Sequence, residues 1–344
     1  MAEDTTLNLL EQQEKNRRQT TIWMVAFILF FAWIGFGGDL VLYLGSKDAF
    51  GTARYRVPWV GIVVTAIAAV VTWNAWRRGP RQLLAAAGAR EITDPGTPEE
   101  RTLVNVVEEM AIAGGLPRPK IYIIEDDDPN AFATGHGPET ASVAVTRGLL
   151  TTLNREELQG VVGHEMAHVR NLDVRLMTTI AALAGVIVLL SDLLGRSFRH
   201  GGGVRIGGGG RRGKGGGGAL VLVVLVLWVI TLILAPLVVR LMAMAVSRNR
   251  EYLADATAAE LTRNPGALAS ALQKIEGAHA PTKSIAKSTA HLCIADPLGR
   301  AVNAKEGAMA NLFGTHPPMP KRLARLRGMA FQAAKAAGEF PAQG

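Results

Sequence analysis

The chain has 344 residues, of which 49% are hydrophobic and only 19% are charged, and the apolar residues are clustered. This composition excludes an ordinary soluble enzyme and a disordered chain. Cys293 is the only cysteine in the sequence, so a secreted disulfide scaffold is excluded as well. The net charge of +8, from 37 basic and 29 acidic residues, suits contact with the anionic lipids of a bilayer, and we expect no nucleic-acid partner.

Four stretches are apolar enough to cross a membrane as helices, which takes about 20 residues each. The first follows a polar segment, residues 1–18, which we interpret as an N-terminal cytoplasmic tail. This first apolar stretch is longer than the apolar part of a signal peptide, and no cleavage site follows it. We therefore predict that it is a retained anchor. The predicted transmembrane helices are residues 19–38, 57–76, 176–194 and 219–239.

Two polar segments remain, residues 77–175 and 240–344, and each is too small to form an enzyme alone, so we predict that they form one domain together. In the first segment, Thr97-Pro98 is typical of a helix start. The runs 120–124 and 142–146 predict strands of a small sheet.

Asn154, with Glu157 three residues later, predicts the start of a second helix. Since no proline or turn residue follows, we predict that this helix continues into the third span. Residues 195–218 contain 13 glycines and six Arg or Lys, with no acidic residue. We interpret them as a flexible, lipid-facing loop rather than an RNA-binding segment, because Phe198 is their only aromatic residue.

The pentapeptide His164-Glu165-Met166-Ala167-His168 lies on the second predicted helix. Residues four apart share a helical face, so both imidazoles can bind one metal ion. Glu165 is turned about 100° from His164 and can reach a metal-bound water without binding the metal. This arrangement is that of zinc metalloproteases.

A catalytic zinc ion usually has three protein ligands and a water molecule. Glu251 is the candidate third ligand, and Asp255 lies one turn later on the same helical face. An acid in that place can hold a ligating histidine in its correct tautomer. Without the pentapeptide, the two acids would be an ordinary solvated face; with it, the sequence predicts a site for one zinc ion.

With these residues identified, the chain resembles the HtpX-type membrane zinc metallopeptidases, bacterial quality-control proteases of the gluzincin group. The resemblance covers nearly the whole chain and implies an α-helical integral membrane protein with four spans and a split α+β zincin-like protease domain. The Gly-rich loop departs from the family pattern. Four motifs match in order: Asn130-Ala131-Phe132-Ala133-Thr134-Gly135; the pentapeptide followed by Asn171 and Asp173; Arg250-Glu251 with Ala254-Asp255; and Thr315-His316-Pro317-Pro318 with Arg322.

The resemblance also implies a role for each matching residue. His164, His168 and Glu251 would bind zinc, Glu165 would act as general base and then acid, and Asp255 would support the ligands. His316 and Arg322 would stabilise the oxyanion. The edge strand would pair with an extended substrate through Asn130, Ala131, Phe132 and Ala133. Recognition through the main chain gives low sequence specificity, as suits unfolded or misfolded protein substrates.

The topology follows from the need to assemble this site. The histidines and Glu251 are separated by two spans, so both polar segments must lie on one side of the membrane. The positive-inside rule puts that side in the cytoplasm, through Lys15, Arg17, Arg18, Arg77, Arg78 and Arg81. The resemblance implies that the membrane is the inner membrane of a bacterium. The basic Gly-rich loop would then lie outside, against the same rule, so incomplete crossing by the last two spans is the alternative.

Two other functions stay open. A CAAX prenyl protease shares both metal-site motifs, but it encloses its site with more spans than four. A metal-binding membrane scaffold without hydrolytic activity would not need Glu165, and structural zinc sites more often have four Cys or His ligands.

Overall fold

The computed structural model describes residues 2–45, 55, 57–199, 248–278, 292–294 and 317–336. Its helices and strands occur in this order: α1 (Ala2–Gly45), α2 (Trp59–Ala86), β1 (Arg90–Glu91), α3 (Pro98–Gly114), β2 (Lys120–Ile124), β3 (Ala131–Thr134), a 3-10 turn (Pro138–Thr140), β4 (Ser142–Thr146), α4 (Arg147–Thr152), α5 (Arg155–Arg170), α6 (Asp173–Arg199), α7 (Arg248–Thr262), α8 (Pro265–Glu276) and α9 (Met319–Ala336).

The chain divides into two compact units. The first, here called the sheet unit, joins the described residues within 1–20, 78–182 and 243–344. The second, the span unit, consists of those within 21–77 and 183–242. The sheet unit therefore combines parts of both polar segments of the sequence with the N-terminal helical residues.

Two of the described helices are long and apolar enough to cross a membrane, at Leu10–Tyr43 and Trp59–Ala86. The first contains the predicted span 19–38, and the second contains the predicted span 57–76 except for residues 57 and 58. Both expose large apolar side chains such as Trp33 and Trp73. The predicted third span, 176–194, falls on α6. The predicted fourth span, 219–239, and residues 200–218 of the Gly-rich loop lie outside the described residues.

Asp39 joins the two helices of the span unit. Its carboxylate accepts hydrogen bonds from the backbone N–H groups of Val60 and Gly61, at 3.1 and 2.5 Å, and so satisfies donors in the first turn of α2. The Tyr55 hydroxyl donates to the same carboxylate. A Cβ atom at Gly35 would lie 2.8 Å from the Cα of Gly61, so glycine is needed where the helices approach.

The sheet of the sheet unit has the strand order β1-β2-β4-β3. Strands β2 and β4 are parallel, whereas β1 and β3 are antiparallel to their neighbours. The predicted strands 120–124 and 142–146 are confirmed as β2 and β4. Among the described residues β3 pairs only with β4, at the end of the sheet, and hence is an edge strand.

Helix α5 is fixed at its start by a reciprocal cap. The Asn154 side chain accepts from the Glu157 N–H and the Glu157 carboxylate accepts from the Asn154 N–H, both at 2.9 Å. The predicted start of α3 is likewise confirmed, with Thr97 as N-cap and Pro98 as the first helical residue. Apolar residues of α3, the sheet, α5 and α8 form the core, among them Leu103, Val143, Val161, Val162 and Leu272.

Glycines on α5 bring its neighbours close. A Cβ atom at Gly160 would lie 3.0 Å from the backbone of Leu268 in α8, and one at Gly163 would lie 3.2 Å from the Thr262 methyl of α7. Ala258 of α7, fully buried, faces the same glycine. Small residues on both sides therefore let α7 pack directly on the helix that carries the pentapeptide.

The predicted continuous helix from Asn154 into the third span is wrong, because α5 ends at Arg170 and α6 begins at Asp173. Leu172 between them has a φ of 58°, a left-handed conformation that interrupts the helix. Neither proline nor glycine marks this position. The break makes Asp173 the first residue of a new helix and turns its side chain back toward α5.

Residues 2–18, predicted as an N-terminal tail, are helical and form the start of α1. Part of this segment is buried in the sheet unit, since Asn16 has no exposed surface.

Candidate metal centre

Three side chains from two helices converge at one point in the sheet unit. His164 and His168 lie one turn apart on α5, and Glu251 lies in the first turn of α7. The two Nε2 atoms are 3.2 Å apart, and the Glu251 carboxylate oxygens lie 3.7 Å from His164 Nε2 and 3.6 Å from His168 Nε2. All three residues are buried, and they form a group that can hold a metal ion.

These separations fit a zinc ion. Zinc binds histidine nitrogen and carboxylate oxygen at about 2.0–2.2 Å in tetrahedral geometry, which spaces neighbouring ligand atoms about 3.3–3.5 Å apart. Convergence of two imidazole nitrogens and a carboxylate, all of them acceptors once deprotonated, favours a cation between them. Two histidines and one glutamate are also a donor set of catalytic zinc sites.

A carboxylate holds the other nitrogen of each histidine. His164 Nδ1 lies 3.0 Å from Asp255 Oδ1, and His168 Nδ1 lies 3.2 Å from Asp173 Oδ2. A carboxylate favours a proton on the nitrogen that faces it, so both rings direct the Nε2 lone pair toward Glu251. Asp255 therefore has the position that the sequence predicted for an acid supporting a ligand.

The two histidines differ in their electrostatic surroundings. Burial, together with the charge of His168, lowers the pKa of His164 despite the contact with Asp255. Burial also disfavours the charged form of His168, but the hydrogen bond to Asp173 and the charges of Glu251 and Asp173 outweigh it and raise the pKa of His168 to about 9. The surroundings therefore favour the neutral form of His164 and the charged form of His168.

Glu165 follows His164 on α5 and is 2% exposed. Its charge raises the pKa of His168 and of Arg322, so the carboxylate lies within electrostatic reach of both groups. A buried carboxylate beside the ligands, and separate from them, has the place of a base acting on a molecule at the centre.

Arg322 of α9 is fully buried and connects the two acids of α7. Its guanidinium donates two hydrogen bonds to Asp255, at 2.9 and 2.7 Å, and Nη1 lies 3.5 Å from Glu251 Oε2. Burial disfavours its charge, but Asp255 and Glu251 reverse this effect and raise the pKa of Arg322. Burial likewise opposes the charge of Asp255, but Arg322 and His164 lower its pKa to about 2.

His316, the second residue predicted to stabilise the oxyanion, lies outside the described residues. Two residues later, the Pro318 carbonyl accepts a hydrogen bond from the Arg322 N–H at the start of α9.

Of the four predicted substrate-pairing residues, Ala131, Phe132 and Ala133 lie in the edge strand β3 and Asn130 directly precedes it; all four are buried. Thr146 N–H donates to the Asn130 carbonyl, and hydrogen-bonded pairs alternate along an antiparallel ladder. Ala131 and Ala133 therefore direct their backbone groups away from β4. At Ala131 both groups are engaged: the carbonyl accepts from Ile294 N–H at 3.0 Å, and the N–H donates to the Asn130 side chain. Ala133 is therefore the next pairing position along this edge.

Residues 292–294 link this edge to the metal centre. The Ile294 carbonyl accepts a hydrogen bond of 3.1 Å from Arg322 Nη1, while its N–H donates to Ala131. Cys293, which directly precedes Ile294, is fully buried. No sequence pattern predicted this contact.

Sequence reasoning assigned no role to Asp173 or Arg250, which both adjoin the ligands. Asp173 has no exposed surface and contacts His168, and Arg250 Nε lies 3.5 Å from Asp173 Oδ1. An acid five residues after the second histidine of the pentapeptide was the available signal for Asp173. For Arg250 it was a basic residue directly before the candidate ligand.

The chain has relatives among known proteins. Residues 98–330 match the model of Peptidase family M48. The chain is 43% identical over 323 residues to a "Protease HtpX homolog" of Thermoanaerobacter pseudethanolicus, covering 93% of this chain and 98% of that protein. It is 39% identical over 322 residues to a protein of the same name from Streptococcus gordonii, covering 93% and 100%. Among solved structures, S. mikatae Ste24p matches with a TM-score of 0.44 and 18% identity, over 89% of this chain and 66% of that one.

Proposed function

Since the chain belongs to peptidase family M48, as its resemblance to HtpX-type metallopeptidases predicted, we propose that it is a zinc endopeptidase of unfolded or misfolded membrane proteins. The observation that carries the proposal is the convergence of His164, His168 and Glu251, whose ligand atoms lie close enough to one another to share one ion.

One zinc ion would be held by these three side chains. When bound, zinc lowers the pKa of its water ligand to about 7 and polarises a carbonyl oxygen. Asp255 and Asp173 would keep the two imidazoles in the tautomer that this requires, by accepting from Nδ1.

Glu165 is the proposed general base. It takes a proton from the water that attacks the scissile carbonyl, and later gives it to the leaving amine as the peptide bond breaks. Its burial at the site of the ligands supports this role. The burial of Glu165 also argues against a metal-binding scaffold without hydrolytic activity. In such a scaffold, a buried carboxylate that binds no metal would only lower the stability of the protein.

Arg322 has two proposed contributions. Its hydrogen bonds to Asp255 and its proximity to Glu251 support a positioning role for both acids. Its positive charge also stabilises the negative oxygen that develops on the substrate, together with His316.

Substrate would bind as an added strand on β3, along the segment of Asn130, Ala131, Phe132 and Ala133. Because the backbone of Ala131 already bonds Ile294 and Asn130, pairing would begin at Ala133. The edge is covered, with Ala133 5% exposed, so a peptide must displace that cover to reach it. Main-chain pairing would accept many sequences, as a protease of unfolded chains requires.

We further propose four spans in a bacterial inner membrane, with a split α+β protease domain on the cytoplasmic side. The membership of both polar segments in one unit supports their placement on the same side. A thiol-reactive, membrane-impermeant reagent tests it in intact cells, in a Cys293→Ser background. Gly208→Cys in the Gly-rich loop should react from outside and Glu139→Cys should not; the reverse pattern would contradict the topology.

Cleavage of an unfolded protein by the detergent-purified, zinc-loaded chain tests the catalytic proposal. Glu165→Gln removes the base but keeps the helix and the three ligands, so cleavage should fall by at least about 100-fold at equal zinc content. Glu156→Gln makes the same change on the exposed side of α5 and should leave cleavage unchanged. Equal cleavage by the wild type and Glu165→Gln would contradict the assignment of the base. Zinc binding without any cleavage by the wild type would favour the scaffold.

A further inference from the structure

The N-terminal part of α1 is attached to the sheet unit beside the metal centre. Gln13 Nε2 donates to the Arg170 carbonyl at 2.7 Å, and Asn16 Nδ2 donates to the Asn171 carbonyl at 2.9 Å. One turn further, the Gln19 side-chain oxygen accepts from the Arg250 guanidinium. Three polar residues on one face of α1 thus hold the turn between α5 and α6 and the residue preceding Glu251.

Asn16 makes a second contact that reaches a metal ligand through a single residue. Its Nδ2 donates to Asp173 Oδ1 at 2.6 Å, while Asp173 Oδ2 faces His168 Nδ1 at 3.2 Å. Asn16 and Asp173 have no exposed surface. Each oxygen of the Asp173 carboxylate therefore has its own partner, and one of these partners comes from the start of the chain.

Only Arg250 competes with Asn16 for this oxygen among the described residues, and its Nε lies farther away, at 3.5 Å from Oδ1. The amide of Asn16 is thus the short contact that sets the rotation of the carboxylate. That rotation decides where Oδ2 lies, and hence the direction in which the His168 ring presents Nε2 to the ion.

We propose that Asn16 is a positioning residue of the metal centre, which fixes Asp173 and through it His168. It touches neither substrate nor metal. Residues 2–18 are then a part of the catalytic unit rather than a cytoplasmic tail. This inference rests on the proposed zinc centre and adds to it an element from outside the matched family region, which begins at residue 98.

The loss of the Asn16 amide has a definite consequence. Asp173 would stay buried with one oxygen lacking its short hydrogen bond, and a carboxylate so placed turns toward the remaining donors. Rotation toward Arg250 lengthens the contact to His168. The ion would then bind less tightly and would be less well oriented for reaction, although the ligands are all present.

The test compares zinc affinities of full-length variants in detergent, measured by competition with a chelator. Asn16→Ala should lower the affinity about tenfold, at the low end of the 10–100-fold range for residues that support metal ligands. Gln13→Ala removes a hydrogen bond that attaches the same helix but does not contact Asp173, and it should change the affinity by less than about twofold. The visible spectrum of the cobalt-substituted protein, which reports ligand geometry, should shift in Asn16→Ala and not in Gln13→Ala.

A charge exchange separates positioning from a general loss of structure. Asn16→Asp places a second buried carboxylate beside Asp173 and should weaken zinc binding more than Asn16→Ala. In Asn16→Asp/Asp173→Asn, an amide at position 173 can donate to the new carboxylate and still accept from His168. The double variant should therefore bind zinc at least about threefold more tightly than Asn16→Asp. At saturating zinc, Asn16→Ala should lower kcat and leave KM unchanged.

The outcomes distinguish this inference from the proposed function. Equal zinc affinity and an unchanged cobalt spectrum in Asn16→Ala, with a wild type that binds zinc, would overturn the positioning role alone. Equal losses in Asn16→Ala and Gln13→Ala would also overturn it, because attachment of the helix would then be the cause. A wild type that binds no zinc would overturn the metal centre and this inference with it.

Discussion

Asp255 and Arg322 form a buried ion pair in which the guanidinium donates to both carboxylate oxygens, at 2.9 and 2.7 Å. The same Asp255 Oδ1 lies 3.0 Å from His164 Nδ1. Because Asp255 belongs to α7 and Arg322 to α9, the pair connects the last described helix to the proposed metal ligand His164 on α5.

Removal of this arginine should strongly destabilise the protein. Arg322→Ala leaves Asp255 buried without its cation, and breaking a buried pair in this way costs about 3–5 kcal/mol in the free energy of unfolding. Arg322→Lys keeps the charge but cannot make the two parallel hydrogen bonds, so it should cost less than Arg322→Ala and more than a surface change. Denaturant unfolding in detergent measures both variants.

Arg327→Ala is the matched control for this pair. Arg327 lies on the same helix, is exposed and donates to Gln273, so its loss should cost about 0.5 kcal/mol or less. A loss in Arg322→Ala no larger than that in Arg327→Ala would show that the buried pair contributes nothing to stability.

The two glycines of α5 should respond differently to alanine. At Gly160 the new methyl would lie 3.0 Å from the Leu268 backbone, which cannot rotate away. Overpacking of about 1–3 kcal/mol should then exceed the gain of about 1 kcal/mol in helix propensity, so Gly160→Ala lowers the free energy of unfolding. At Gly163 the nearest atom is a methyl of Thr262 at 3.2 Å, and the two effects should cancel to within about 1 kcal/mol. Thermal unfolding of the two variants decides, and a more stable Gly160→Ala would contradict the close packing of α5 and α8.

Glu157 should make stability depend on pH at the acidic end. Burial opposes its charge, but Lys274 and Ser270, both at 2.7 Å, and the Asn154 N–H outweigh burial and lower the pKa of Glu157 below its usual 4.5. A lowered pKa in the folded state stabilises the protein fully above pH 4.5, and this contribution is lost as the pH falls through the folded-state pKa.

The advantage of the wild type over Glu157→Gln in the free energy of unfolding should therefore be constant near neutral pH and shrink below pH 4.5. Unfolding of the metal-free proteins across this range measures it. Glu139→Gln, at an exposed position, should follow the wild type throughout. A difference that grows toward low pH would mean that the sign of the pKa shift is wrong.

Ala133→Pro should weaken substrate binding without unfolding the sheet. Proline removes an N–H that points away from β4, and an edge strand accepts proline at such a position. Without this donor, an extended substrate loses one main-chain hydrogen bond, and kcat/KM for an unfolded protein should fall by about threefold to tenfold. Phe132→Pro, which removes a donor to β4, should instead destabilise the sheet. An unchanged kcat/KM in a folded, zinc-loaded Ala133→Pro would exclude pairing at this residue.

Local patterns predicted much of the sheet unit. The β-branched runs of β2 and β4 and the cap at Asn154 depend on residues close together in sequence, so they could be identified without the structure. The spacing of His164 and His168 likewise determines that they share a helical face. Their approach to Glu251 was inferred from the chemistry of zinc, because no local pattern joins residues that lie two spans apart.

What the sequence did not predict depends on contacts between distant segments. The helix break at Leu172 has no proline or glycine to mark it, and the left-handed backbone there is compensated by contacts of Asn171 and Asp173 that form only in the folded chain. Asn16 lies in a polar stretch that has the composition of a solvated tail. Asn16 is buried because one face of α1 packs against the turn after α5. The periodicity of the sequence cannot reveal this contact.

The proposed catalysis depends most on whether Glu251 completes a metal centre with His164 and His168. X-ray absorption of zinc bound to the full-length chain, in a Cys293→Ser background, tests it directly. We expect two imidazole nitrogens and oxygen ligands at about 2.0–2.2 Å, and in Glu251→Cys one sulfur ligand at about 2.3 Å in place of the carboxylate. Zinc that keeps both imidazoles in Glu251→Cys but gains no sulfur ligand would contradict this role of Glu251.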